Sequence, residues 1–183
     1  FYAAYDRPEE GKEFSNVNEN HKIYYHKLGT PQEQDELFYS NPAQPRYFHS
    51  IDLTDDEHYM FLFESGQGAG STLWIRDMQD PNGKFVQIAD DMDYQYSPID
   101  VIDDVLYIFT NYNAPKGRIC RVSAKTPQME NWVDVIPEGE NVIAGISLAN
   151  GKMIVTYDKD AANHAYVYTM DGEQLHEIAL PTY

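Results

Sequence analysis

The chain is expected to be all-β, a series of short antiparallel strands forming part of a β-propeller. Three observations predict this. Ten Pro and 11 Gly among 183 residues interrupt most windows long enough for a helix, and the apolar segments between them alternate with period two over about five to seven residues. The apolar bulk is largely aromatic, with 15 Tyr, 8 Phe and 2 Trp, rings that suit a pleated, half-buried surface better than a helix. Finally, the segments repeat weakly about every 45 to 50 residues, a period typical of propellers and related arrays.

Taken in order, strands are predicted over 1–5, 22–27, 36–39, 48–53, 59–63, 72–76, 85–88, 97–102, 105–110, 118–122, 132–136, 142–147, 152–157, 165–169 and 175–180. The repeat aligns them in three frames. The turn Asp55-Asp56 before Tyr59 to Phe63 recurs as Asp103-Asp104 before Val105 to Phe109 and as Asn150-Gly151 before Met153 to Tyr157. A second frame sets Lys22 to Tyr25 against Leu73 to Arg76, Arg118 to Arg121 and His164 to Val167; a third joins Phe85 to Ile88, Trp132 to Val135 and His176 to Ile178. Four strands per repeat, joined by short turns, make one propeller blade, and a blade buries both faces only against its neighbours. Residues 45–95, 96–138 and 139–183 therefore read as three complete blades, and 1–44 as the last three strands of another. Propellers close with about 4 to 8 blades, so this arc either joins a larger ring or leaves edges that a partner or self-association would cover. The opening Phe1-Tyr2-Ala3-Ala4-Tyr5 reads as the middle of a strand, without an initiator Met or signal peptide, and an excerpt of a longer polypeptide is expected.

Charge narrows the partners. Thirteen basic against 30 acidic side chains give a formal charge of -17. Such a chain gains nothing from counterion release on nucleic acid and is repelled by anionic lipid, so neutral, cationic or protein partners are expected. The single Cys120 excludes an intrachain disulfide and a cysteine-based structural zinc site but leaves the compartment open between cytoplasm and periplasm. No apolar run approaches the roughly 20 residues that span a bilayer.

The chemistry-bearing residues do not assemble into a catalytic motif. Ser71 in Gly68-Ala69-Gly70-Ser71-Thr72 and Ser147 in Gly145-Ile146-Ser147-Leu148-Ala149 both lack the second glycine of a nucleophile elbow. The acidic runs Asp90-Asp91-Met92-Asp93, Asp100 with Asp103-Asp104, and Asp158-Lys159-Asp160 lack calcium-loop spacing; they read as solvated blade-to-blade turns whose Asp side chains bond their own backbone. His21 and His26 lie five apart on a strand and so face opposite sides, and His49, His58, His164 and His176 read as strand or turn residues. Gly66-Gln67-Gly68-Ala69-Gly70 is followed by neither Lys nor a helix, which favours a hairpin connection over a phosphate cradle. No cofactor and no metal are expected.

Specific residues, beyond the periodicity, resemble the prolyl oligopeptidase (prolyl endopeptidase) family. They are Phe1-Tyr2-x-x-Tyr5 with Gly11-Lys12, then Asn20-His21-Lys22-Ile23-Tyr24-Tyr25-His26-Lys27-Leu28-Gly29-Thr30, of which Tyr-Tyr-His-x-Leu-Gly-Thr is the most specific piece. Leu53-Thr54-Asp55-Asp56-x-x-Tyr59 and Leu73-Trp74-Ile75-Arg76-Asp77 add to it. The resemblance implies the middle-to-late blades of a seven-bladed propeller, without the α/β-hydrolase domain that holds the family's Ser, Asp and His. It also implies that the propeller caps the hydrolase domain and admits only short peptides. Phe48 falls where the family usually has an apolar pocket residue. Ser65 and Gly68 fall where many relatives carry an arginine and a cysteine, a departure that implies a roomier, less polar pocket edge.

The expected role is thus the propeller segment of a peptidase that cleaves after proline, with Phe48, Ser65 and Gly68 as its substrate-binding residues. Its expected partners are short proline-containing peptides and the hydrolase domain of the same polypeptide. The alternatives are an autonomous propeller that binds proteins without any hydrolase, and an exopeptidase relative, for which no acidic anchor for a free amino terminus is identified.

Overall fold

The computed structural model describes all residues except 7, 9, 13, 16 and 181–183. The last three of these end the predicted 139–183 blade, so that part of the blade lies outside the described residues. Among the described residues fifteen strands form four antiparallel sheets, each a simple meander. The first contains β1 (Tyr2–Ala4), β2 (Lys22–Tyr25) and β3 (Glu36–Ser40). The second contains β4 (Phe48–Leu53), β5 (Tyr59–Ser65), β6 (Thr72–Asp77) and β7 (Val86–Ala89). The third contains β8 (Tyr96–Ile102), β9 (Val105–Thr110), β10 (Arg118–Ser123) and β11 (Val133–Ile136), and the fourth β12 (Val142–Ala149), β13 (Lys152–Lys159), β14 (Ala162–Thr169) and β15 (Gln174–Ile178). Helical structure among the described residues is confined to two 3-10 turns, Gln32–Gln34 and Met129–Asn131.

The turns follow from backbone chemistry. Asp103 and Asp104 both adopt positive φ, as do Asn150 and Gly151, the signature of two-residue hairpins whose twist matches the flanking strands. Asp160 and Ala161 do the same, at φ 50° and 61°. This corrects the reading of Asp158-Lys159-Asp160 as a turn between blades. The tight loop lies within the fourth sheet, and Asp158 and Lys159 remain in β13, paired with Asn163 and Ala162. In the β4–β5 turn the Thr54 hydroxyl and the His58 N–H both donate to Asp56 Oδ1, at 2.6 and 3.0 Å.

Period-two alternation lets a sheet serve two neighbours at once. From β9, Leu106 and Ile108 enter the apolar layer against the second sheet, with Tyr59, Phe61, Leu73, Ile75 and Ile88. Tyr107, between them, points the other way into the layer shared with the fourth sheet, among Ile143, Met153, Val155 and Tyr168. Cys120 and Ile119 on β10 divide in the same manner. Burial pushes the Cys120 thiol up to about 12, with the Asp134 carboxylate adding to the shift, so this thiol behaves as a core residue. The series is an open arc of propeller blades.

Candidate substrate-facing edge

The start of β4, the end of β5, the start of β6 and the β7–β8 connection lie at one end of the second sheet, beside the start of β2 and the end of β3. Phe48 opens β4 and is 53% exposed. Its ring stands edge-on to His21, with centroids 5.9 Å apart, and to Tyr5 at 6.5 Å. Ser65 closes β5 directly opposite Phe48 in the ladder. Two of the three residues singled out from sequence are therefore cross-strand partners.

Gly68 sits in the β5–β6 loop with a different neighbour. A Cβ at this position would lie 2.3 Å from the Met92 carbonyl oxygen, and one at Gly70 would lie 1.8 Å from that of Tyr94. The Gly70 N–H donates to the Met92 carbonyl at 2.7 Å. These glycines let the loop lie against the β7–β8 connection, where any side chain would push the two main chains apart.

The adjacent rung carries residues that sequence reasoning left as ordinary strand positions. His49 and Glu64 face each other across β4 and β5, with side chains only 1% and 5% exposed and His49 Nε2 3.3 Å from Glu64 Oε1. Glu64 also accepts from the Tyr39 hydroxyl at 2.9 Å and from Asn41 Nδ2 at 2.8 Å, both from the first sheet's side. Burial acts to raise the Glu64 carboxyl, but the bonds from His49, Asn41 and Tyr39 outweigh it and hold the group below the usual glutamate range. Burial and the Glu64 bond push the Tyr39 phenol upward.

His49 also grips the first sheet directly. Its backbone N–H donates to His21 Nδ1 at 2.9 Å, and its own Nδ1 donates to the His21 carbonyl at 2.8 Å. Burial first, and the facing His49 ring second, hold His21 below the ordinary imidazole range. His26 belongs to a separate group: its Nδ1 lies 2.6 Å from Asp35 Oδ1, while the Tyr2 hydroxyl donates to the other Asp35 oxygen at 2.8 Å. One signal in the sequence could have disclosed the His49–Glu64 pair. His49 shares the inward period of Ile51 and Leu53, and Glu64 shares that of Leu62 and Met60, so two complementary polar residues sit on faces otherwise reserved for apolar ones.

The edge strands β4, β8 and β12 also line a cavity of about 640 Å³. Asp52, Asp55 and Asp100 contribute to its wall, and no lysine, arginine or histidine is among the residues lining it.

The whole chain, residues 1–183, matches the family model described as prolyl oligopeptidase, N-terminal beta-propeller domain. The chain belongs to this family. It is 34% identical over 181 residues to the prolyl endopeptidase of Elizabethkingia meningoseptica, covering 99% of this chain and 25% of that protein. It is 31% identical to prolyl oligopeptidase A of Galerina marginata over 163 residues, covering 86% of this chain and 22% of the relative. Among solved structures, prolyl oligopeptidase B from Galerina marginata, bound to a 35mer hydrolysis and macrocyclization substrate, superposes with a TM-score of 0.86 at 24% identity, covering 97% of this chain and 25% of that one. The chain thus spans about a quarter of the length of the curated relatives it matches. This prolyl oligopeptidase propeller segment is all-β, as its sequence predicts.

Proposed function

We propose that this segment gates a peptidase that cleaves after proline. It restricts entry to short peptides and lends Phe48, with Ser65 opposite and Gly68 in the neighbouring loop, to the wall that receives the substrate on the side away from the scissile bond. The hydrolytic chemistry belongs to an α/β-hydrolase domain of the same polypeptide, by acyl transfer to a serine. The observation that carries this reading is Phe48 itself: a half-exposed ring, held by Tyr5 and His21, at the end of an edge strand in a chain of net charge -17. Ordered exposed aromatic area of this kind is suited to an apolar side chain of a ligand. Sheets packed face to face around their edge strands also form a rigid wall, and folded proteins cannot pass a rigid wall that peptides can.

Phe48→Ala in the native polypeptide tests the wall. The expected result is a rise of about five- to tenfold in KM for a chromogenic proline peptide bearing a bulky apolar residue upstream, with kcat little changed, because binding area is lost equally in ground and transition states. An unchanged KM would remove Phe48 from the pocket. A native polypeptide that binds such peptides without cleaving them would favour the interaction-module reading instead.

A further inference from the structure

We propose that His21, His49 and Glu64 form an acid-released clasp that fixes the Phe48 end of β4 to the first sheet, with His21 acting as a positioning residue for Phe48. The importance of that position for substrate rests on the reading above; the clasp itself does not.

The hydrogen-bond directions define the closed state. The His21 carbonyl can only accept, so His49 Nδ1 carries a proton. The other ring nitrogen, Nε2, is buried 3.3 Å from Glu64 Oε1, a polar contact that makes no hydrogen bond. His21 Nδ1 accepts the His49 backbone N–H and must be unprotonated. The closed clasp therefore requires a neutral His21, and its ring lies stacked on that of His49 with centroids 5.8 Å apart. Protonating His21 removes the acceptor for the His49 N–H and sets a ring N–H against it. Phe48, one residue away and in ring contact with His21, loses its support at the same moment.

The groups facing this cluster leave its charge logic intact. Tyr5 contributes a ring 4.7 Å from His21, and Tyr39 a ring 5.3 Å from His49 with its hydroxyl on Glu64. Asn41 is neutral and donates to Glu64. The charged neighbours along the chain are already engaged with one another, Lys22 with Asp6 and Arg46 with Glu19.

The sign follows from linkage. His21 binds its proton less readily in the folded chain than at its ordinary value of 6.5, so its contribution is complete above about pH 6.5 and is lost as the pH falls below that value. Glu64 is also held low, and its contribution disappears only further down, as the pH falls below its ordinary 4.5 and through its folded value. Release that sets in below about pH 6.5, ahead of the range of Glu64, would thus belong to His21.

Hydrogen exchange of the segment 47–53 in the native polypeptide reads the clasp directly, after correction for intrinsic rates, with β13 as an internal control for folding. Between pH 7.5 and 5.5 the segment should lose about tenfold in protection while β13 holds. His21→Asn supplies an oxygen acceptor that does not titrate, so its protection should be as high as the native chain's at pH 7.5 and flat with pH. His21→Phe should be poorly protected at both values. A flat native profile, or an Asn variant that falls in parallel with the native chain, would overturn the clasp. The KM of the proline peptide, followed over the same range, separates the two readings. A rise at pH 5.5 in the native enzyme but not in His21→Asn ties the clasp to Phe48. A flat KM alongside the expected exchange pattern leaves the clasp standing and counts against Phe48 as a pocket wall.

Discussion

The joint between the first and second sheets and the joint between the second and third solve the same packing problem with different chemistry. The second joint is mainly apolar: Phe61, Leu73 and Ile75 from one sheet meet Leu106, Ile108 and Val122 from the other, and at its far end the Tyr59 hydroxyl donates to Asp104 Oδ1 at 2.6 Å. The first joint has Met60 and Leu62 on the corresponding face of β5, but at the Phe48 end it changes to Glu64, His49, Tyr39 and Asn41, all hydrogen-bonded or ion-paired. Further along the same sheet, on the Met60 rung, the Arg76 guanidinium lies 5.4 Å from the Phe38 ring centroid and 6.0 Å from that of Phe85. An apolar joint draws its stability from area and tolerates small shifts of register. A buried charged joint holds one geometry, because any displacement leaves a desolvated charge without its partner. The difference teaches that β4 is held in place most strictly where its end carries Phe48.

Removing one half of the charged joint should produce the largest effect. Glu64→Leu removes the polar atom facing the buried His49 ring and strips Tyr39 and Asn41 of their acceptor. We expect a loss of about 3–5 kcal/mol, measured by denaturant unfolding of the native polypeptide. Replacing His49 and Glu64 together by leucine should recover part of that loss, since the buried ring is then gone while Tyr39 and Asn41 still lack their acceptor. If the double variant is as unstable as the single one, the joint depends on shape and not on charge. In the apolar joint, Leu106→Ala removes a side chain with no exposed surface and should cost about 2–5 kcal/mol, without the rescue that a paired replacement gives at Glu64. A loss below about 1 kcal/mol would mean that the two sheets close over the cavity and that the apolar joint is softer than its burial suggests.

The sequence exposed the framework more readily than the site, for physical reasons. Strands are repetitive, so alternation and turn residues located all 15, with limits mostly within one or two residues of those observed. The largest departure is at β14, which starts three residues before the expected 165 because the two-residue hairpin Asp160-Ala161 needs no intervening loop. Phe48 and Ser65 could be paired through the family resemblance, and the register joins them. Gly68 was legible as a loop residue but not as a close-approach glycine, because Met92 reaches it from 24 positions further along the chain. The His49–Glu64 pair left one trace, polar residues on two apolar faces, but its union with His21 was illegible for the same reason, because only packing between sheets brings His21 to it.

The smallest effect is expected where a charged contact between sheets lies in water. Arg121 on β10 reaches Asp171, in the β14–β15 turn of the next sheet, at 2.5 Å. The geometry resembles that of a strong pair, but the side chains are 41% and 81% exposed. The Asp171 bond holds the arginine above its usual range, yet solvent screening and the entropy of ordering two long side chains consume most of the gain. Asp171→Asn should therefore change unfolding free energy by less than about 1 kcal/mol, with the difference shrinking further as salt is raised from 50 to 500 mM, on the order of the screening expected for surface charges. A salt-insensitive loss as large as that of Glu64→Leu would show that exposure is a poor guide to which charges hold these sheets together. The contrast between the first joint and the rest of the arc would then lie in the number of bonds made at Glu64, and the dryness of its surroundings would be incidental.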